Sequence, residues 1–226
     1  MYTLHIANKN YSSWSLRPWI LLTELGVSFE EKLTPFTGSA NFDEFRKFSP
    51  NAKVPCLYDE DRVVWDSLAI CEYIAQQHEG SWPREVDART WARCVASEMH
   101  SGFPALRNIC GMSVGVRVKL FEKSTALMQD VGRLDEIWSE GLNKFGGPFL
   151  AGTEFSVADA FFAPVAFRVR TFDLSLSEMA QAYCDKLLSL KSMKVWEEQA
   201  TGEIWRDMDH EREMSLVGEV VADYRA

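Results

Sequence analysis

The sequence has no uninterrupted run of the roughly 20 apolar residues that a membrane-spanning helix requires. Its first residues, MYTLHIANKNYSS, also lack the basic segment and following apolar stretch of a secretory signal. No low-complexity tract is present, and 46% hydrophobic with 25% charged residues is ordinary for a globular protein. We therefore expect a cytoplasmic protein with no membrane partner.

Metal-binding and disulfide patterns are missing as well. The five cysteines are odd in number and none forms a CxxC pair, and the four histidines are equally dispersed. These residues are Cys56, Cys71, Cys94, Cys110, Cys184, His5, His78, His100 and His210. Such spacing favours neither a disulfide framework nor a zinc site, so we expect reduced thiols and no metal.

The sequence has fewer basic than acidic residues. It contains 24 lysine and arginine residues and 33 aspartate and glutamate residues, which gives a net charge of -9. Non-specific affinity for nucleic acid comes from basic side chains that neutralise phosphates. The composition therefore predicts no nucleic-acid partner.

The first 79 residues alternate between short strand-like and helix-like patterns. Two apolar runs, VPCLY and RVVW, flank the turn sequence DED and predict a β-hairpin. The remaining patterns are strands at 2–7 and 27–36 and helices at 15–26, 40–48 and 67–78. The predicted order is β-α-β-α-β-β-α.

A linker is predicted at EGSWPRE, residues 79–85, where Gly80 and Pro83 interrupt the strand-like segments. We place a first domain at 1–79, a linker at 80–86 and a second domain at 87–226. The second domain is predicted to be helical throughout, with a charged tail from Asp207 that caps or wraps it. Its helical patterns cover 87–109, 115–145, 156–171, 177–189 and 193–202.

Three motifs occur along this framework: SSWSLR at 12–17, KVPCL at 53–57 with WDS at 65–67, and SVADA at 156–160. In this order they resemble the cytosolic glutathione S-transferase superfamily over nearly the whole chain. The resemblance implies an α+β protein, with a thioredoxin-like βαβαββα domain followed by an all-α domain. It also implies glutathione as co-substrate, a small hydrophobic electrophile, and a homodimer, for which Phe42, Phe45 and Phe48 offer a contact surface.

The first motif is similar to the serine-type classes, tau and zeta among them, in which the active serine lies five residues before an arginine. Ser12 and Arg17 have that spacing, which implies that the Ser12 hydroxyl stabilises the glutathione thiolate. Ser13 is the alternative, because Trp14 occupies a position where a small residue or proline is expected. Serines at a helix start also serve as caps, which is the structural alternative for both.

The second motif implies a tripeptide-binding edge. Val54-Pro55 resembles the family's cis-proline step, which lets Val54 pair its main chain with the cysteinyl unit. Lys53 is either a solvated charge or a contact for the glycine carboxylate. Asp66 and Ser67 resemble the pair that holds the γ-glutamyl end, with an ordinary helix cap as the alternative.

The third motif predicts a capping box between Ser156 and Asp159. Arg168 and Arg170 follow on the same helix and are predicted to form ion pairs. The second substrate is expected between the domains, and core packing is the alternative for the apolar members of its lining. The predicted lining residues are Met99, His100, Phe103 and Arg107.

The leading hypothesis is a glutathione transferase that attacks a small electrophile. A maleylacetoacetate-type isomerase is the second, although Trp14 argues against it. A binding or regulatory protein of the same fold is the third, because a fold does not fix a function. The short Asp66 side chain, where Glu or Gln is usual in the family, keeps that hypothesis open.

Overall fold

The computed structural model describes residues 1–38 and 41–226. Its first seven elements follow the predicted order, and the sheet has the strand order β2-β1-β3-β4, with β1 parallel to β2 and antiparallel to β3. The elements are β1 (Tyr2–Ile6), α1 (Ser13–Glu24), β2 (Phe29–Leu33), α2 (Asn41–Arg46), β3 (Cys56–Asp59), β4 (Arg62–Val64) and α3 (Ser67–Gln77). The predicted thioredoxin-like order is thus confirmed.

Several element boundaries of the first domain differ from the prediction, including both ends of β2, which is shorter than predicted. Helix α1 begins at Ser13, two residues before the predicted start, because the turn at Asn8–Ser12 already leads into it. Helix α2 is observed from Asn41, and Ala40, where the prediction begins, lies outside the described residues.

The second domain is mainly helical, but the prediction of an all-α domain is wrong in one region. Residues 115–145 do not form one helix, because β5 and β6 pair as an antiparallel ribbon. Its elements are α4 (Val86–Ser101), α5 (Pro104–Ile109), β5 (Val116–Leu120), α6 (Thr125–Phe145), α7 (Val157–Phe172), α8 (Glu178–Ser189), α9 (Lys191–Thr201), α10 (Met208–Val217) and β6 (Gly218–Asp223).

Local sequence accounts for these differences. Val116, Val118 and Leu120 alternate with basic residues, which is the two-residue period of a strand, and the tail supplies the pairing partner. The helix predicted at 87–109 is divided because Phe103 adopts a left-handed conformation, with φ of 60°, just before Pro104.

Helix α7 forms the centre of the molecule. Its residues are buried except for Arg170, and it packs against α1 of the first domain and α4 of the second. A helix that is apolar on nearly all sides belongs in a core. The predicted capping box begins this helix, where the N–H and the hydroxyl of Ser156 both donate to Oδ2 of Asp159 at 2.9 and 3.0 Å. In the described residues, no helix has the length and apolar character needed to cross a membrane.

Candidate active site between the two domains

The candidate site begins where β1 leads into α1. Ser12 occupies the cap position of α1, but its side chain makes no capping hydrogen bond. Its hydroxyl instead donates to Oγ of Ser15 at 2.7 Å. Ser13 is the first helical residue, and its Oγ accepts a hydrogen bond from Nη2 of Arg168 at 3.2 Å. The capping alternative therefore does not describe Ser12.

The hydroxyl of Tyr11, the residue before these serines, is engaged by the C-terminal tail. It donates to Glu211 at 2.6 Å and accepts from Arg225 at 3.2 Å. Burial raises the pKa of Tyr11 to about 12. A Cβ at Gly115 would come within 2.3 Å of the Arg225 side chain, so glycine there allows the tail to pack. The tail thereby fixes the loop that carries Ser12.

A cavity of about 410 Å³ opens beside the two serines. Ser12, Ser13, Lys53 and Val54 line it from the first domain, and Arg107 and Arg168 line it from the second. An open groove of about 970 Å³ lies along the linker, but neither the SSWSLR nor the KVPCL motif contributes to it. The smaller cavity is therefore the candidate site, since two of the three motifs meet there.

Trp14 lines this cavity and is contacted by two arginines. The guanidinium carbons of Arg17 and Arg107 lie 4.2 and 4.7 Å from its ring centroid, within the range of cation–π attraction. Arg17 is buried, and its Nε and Nη1 have no hydrogen-bond partner within the described part of the chain. Burial lowers the pKa of Arg17. Two basic side chains thus lie against the ring of Trp14.

The second motif supplies one wall of the cavity. The Val54-Pro55 peptide bond is cis, as predicted. Val54 is half-buried and lines the cavity, Pro55 is buried, and Lys53 is exposed at the rim. The main chain of Val54 therefore lies on the same cavity as the two serines.

Asp66 and Ser67 lie at the start of α3, outside the lining of this cavity. Asp66 caps α3 by accepting the Leu68 N–H at 3.0 Å, and its second oxygen is 3.6 Å from Nε2 of His100. Ser67 is fully buried, and no described residue forms a hydrogen bond with its hydroxyl. The N-terminus of a helix with an unpaired hydroxyl favours an anion nearby.

The four residues predicted to line the second-substrate pocket fall in different places. Arg107 lines the cavity, whereas Met99 and Phe103 are buried in the hydrophobic core, which is the alternative that the sequence left open. His100 touches the edge of Trp14, with ring centroids 5.4 Å apart. Burial lowers the pKa of His100.

The site also includes Arg168, which sequence reasoning assigned to an ion pair. Arg170 does pair with Glu197, at 2.6 Å, but no carboxylate of the described residues lies within 4.0 Å of Arg168. Its other donor, Nη1, binds the carbonyl of Cys110. A signal was available, because Arg168 is a lone charge within the apolar run AFFAPVAFRV. Within the same described residues, no cluster of metal-ligating side chains is found.

Comparison with known families agrees with this architecture. The family model described as "Glutathione S-transferase, N-terminal domain" matches residues 11–77, and "Glutathione S-transferase, C-terminal domain" matches residues 96–190. Together the two matches span more than half of the chain. The chain belongs to the glutathione S-transferase superfamily.

Two relatives with curated names are similar to this chain at low sequence identity. A probable maleylacetoacetate isomerase from Caenorhabditis elegans is 27% identical over 179 residues, which cover 74% of this chain and 78% of the worm protein. A maleylacetoacetate isomerase from Rattus norvegicus is 27% identical over 174 residues, with the same coverage of 74% and 78%.

Solved structures show the same fold at lower identity. A glutathione transferase homologue from Burkholderia with bound glutathione has a TM-score of 0.67 at 18% identity, covering 88% of this chain and 97% of that protein. A Tau class glutathione S-transferase from mango has a TM-score of 0.66 at 19% identity, covering 88% and 95%.

Proposed function

We propose that this protein is a glutathione transferase that activates the glutathione thiol through an N-terminal serine, either Ser12 or Ser13. The observation that supports the proposal is the single cavity that both serines and Val54 line. A thiol near its reference pKa of about 8.5 is only slightly ionised at neutral pH, so the site must favour the anion. A serine hydroxyl and the positive end of α1 both do so.

Residues on the cavity lining and at the start of α3 fit the rest of the tripeptide. The main chain of Val54 pairs with the cysteinyl unit as an added strand would. The buried, unpartnered hydroxyl of Ser67 donates to the γ-glutamyl carboxylate, which the N-terminus of α3 also favours. Asp66 faces the ammonium group, and Lys53 at the rim is within the region that the glycine carboxylate would occupy.

Bound glutathione supplies a thiol whose proton goes to solvent and whose sulfur bonds to carbon as the leaving group departs with its electron pair. Within this scheme the serine hydroxyl donates a hydrogen bond to the thiolate and does not remove a proton. Arg107 and Trp14 line the space for a small electrophile next to the sulfur. The transfer of an alkyl or aryl group is the reaction that these residues support.

The quaternary structure belongs to the same proposal. We assign 1–79 to a glutathione-binding domain, 80–86 to the linker and 87–226 to the second domain, and we expect a homodimer. Of the three phenylalanines considered as a contact surface, Phe42 is 65% exposed, Phe45 is buried and Phe48 is half-buried. A monomeric mass in solution at micromolar concentration would contradict the expected dimer.

An isomerase of the maleylacetoacetate type is the second candidate, and the two relatives of that name favour it. In such a reaction glutathione adds to the substrate and leaves again, so none is consumed. Trp14 lines the cavity, and its bulk, in place of the small residue expected at this position, favours the transferase.

The test is a titration with glutathione followed by turnover assays. We expect saturable binding and the loss of one free thiol per turnover with an activated aryl chloride. The Ser12→Ala/Ser13→Ala double variant should bind glutathione but lose about 10- to 1000-fold in turnover near neutral pH, the effect of one lost hydrogen bond to an anion. Isomerisation of maleylacetoacetate without thiol loss would favour the second candidate, and binding without either reaction would indicate a regulatory protein.

A further inference from the structure

We propose that Ser13, not Ser12, gives its hydroxyl to the thiolate, and that Arg168 is the residue that positions and polarises it from the second domain. This inference rests on the proposed function, since it needs glutathione in the cavity. It differs from the family spacing, which points to Ser12.

The hydroxyl of Ser12 is already engaged. It donates to Oγ of Ser15 at 2.7 Å, a short and well-formed bond inside the protein, and Ser12 is only 4% exposed. Oγ of Ser15 also accepts the Ala7 N–H at 3.4 Å. To reach a sulfur in the cavity, Ser12 would have to break its bond to a neighbour within the same turn.

The hydroxyl of Ser13, unlike that of Ser12, does not donate a hydrogen bond to a described residue. Its oxygen accepts a hydrogen bond from Nη2 of Arg168 at 3.2 Å, so its own proton is free to donate. A hydroxyl that accepts from a cation is a stronger donor, because hydrogen bonds in series polarise one another. Ser13 lines the cavity, where its proton meets the sulfur of a bound thiol.

Arg168 is well held for this role. It is 6% exposed, its Nη1 binds the Cys110 carbonyl, and burial lowers its pKa to about 10, which leaves it charged at neutral pH. With no carboxylate of the described residues within 4.0 Å, its charge is not compensated inside the protein. A buried cation without a counter-ion favours an anion in the adjacent cavity.

The other ionisable groups near the cavity are mainly basic or neutral, and Glu213 is the acidic residue among its described lining. Arg17 and Arg107 add positive charge beside Arg168. Tyr11 is bound to Glu211, and its raised pKa keeps it neutral. The remaining ionisable side chains on the lining are Lys53, His210 and Glu213.

The decisive measurement is the pKa of the bound glutathione thiol, read from the ultraviolet absorbance of the thiolate as a saturated complex is titrated. Ser13→Ala should lower the thiolate fraction at neutral pH about 10- to 100-fold, with an equal loss of turnover and little change in glutathione affinity. Ser12→Ala tests the competing assignment, and on this proposal it raises the thiol pKa less than Ser13→Ala does. Ser13→Thr, which keeps the hydroxyl, should keep the thiol pKa and the turnover close to those of the wild-type protein.

The arginine is tested with Arg168→Lys and Arg168→Met. The methionine variant should raise the thiol pKa as Ser13→Ala does. Its turnover rate should equal that of the wild-type protein at a pH where the thiol ionises unaided. The lysine variant should raise the thiol pKa less, because it keeps the positive charge. A merely structural role would lower the rate equally at every pH. If Arg168→Met fails to fold, the lysine variant and the two serine variants still decide.

Two failures are distinguishable. If the wild-type protein binds no glutathione, the proposed function is wrong. If it binds glutathione with a lowered thiol pKa, and Ser12→Ala alone raises that pKa, the proposed function stands and the assignment to Ser13 and Arg168 is overturned.

Discussion

Two buried polar clusters of the molecule differ in whether their hydrogen bonds are complete. At the start of α7, the carboxylate of Asp159 accepts from the Leu150 N–H, the Ser156 N–H and hydroxyl, and the Tyr183 hydroxyl. Around the candidate site, Ser67 and Arg17 keep donors with no partner within the described residues, and Arg168 has no carboxylate neighbour.

This difference in hydrogen bonding predicts which cluster contributes to stability and which contributes to ligand binding. Burial raises the pKa of Asp159, but four donors oppose that rise and hold the carboxylate in a closed network. Near the cavity, leaving buried donors without partners costs folding free energy, a cost that a bound anion would offset. The first cluster should therefore affect unfolding, and the second should affect ligand binding.

Asp159→Ala should have the largest effect, because it removes the acceptor of all four donors. We expect a loss of about 3 to 5 kcal/mol in the free energy of unfolding, measured by denaturant titration. Asp87→Ala, which removes an exposed acid from the first turn of α4, is the matched control and should cost well under 1 kcal/mol. Equal effects of the two substitutions would refute the closed network.

Ser67→Ala should weaken ligand binding and leave the stability of the protein nearly unchanged. We expect glutathione to bind about 10- to 100-fold more weakly, the effect of losing one hydrogen bond to a charged group, with stability unchanged or slightly higher. Ser81→Ala is the matched control, because Ser81 is equally buried but its hydroxyl already donates to the His78 carbonyl at 2.8 Å. That variant should lose stability and keep its affinity. Weaker binding in both would show that the whole of α3 had moved.

The first domain could be predicted from its sequence because each of its elements has a local signal. The hairpin has a turn sequence between two apolar runs, and the serine and VP motifs lie at the ends of elements. The second domain was less predictable because β5 depends on a partner about 100 residues later in the chain, where β6 pairs with it. The alternating pattern of β5 covers only five residues, so it indicates a strand only once its distant partner is known.

The candidate site, too, could be predicted from the sequence only in part. Ser12, Ser13 and Val54 could be found from motifs, since their positions along the chain determine where they lie in the fold. The contacts of Arg168 and Tyr11 could not, because they join α7 to α1 and the C-terminal tail to the first loop. Met99 and Phe103 have helical spacing, but spacing alone does not distinguish a core face from a pocket face.

Ser156→Ala should give the smallest of these effects and tests the closed network most closely. The substitution removes one of four donors to Asp159 and the hydroxyl of the capping box, so we expect a loss of about 1 kcal/mol in the free energy of unfolding. The backbone N–H of residue 156, which donates to Asp159 at 2.9 Å, is retained in the variant and should limit the loss.

The same substitution made together with Asp159→Ala gives a double-mutant cycle. Because both residues belong to one network, removing the Ser156 hydroxyl should cost less once Asp159 is alanine, and the remaining cost is that of its cap to the backbone N–H of residue 159. Ser124→Ala, at the cap of α6, provides the matched control, since Oγ of Ser124 accepts the Leu127 N–H at 3.2 Å in a separate helix. Its cost should add in full to that of Asp159→Ala, and additivity at Ser156 as well would mean that its hydroxyl does not act through Asp159.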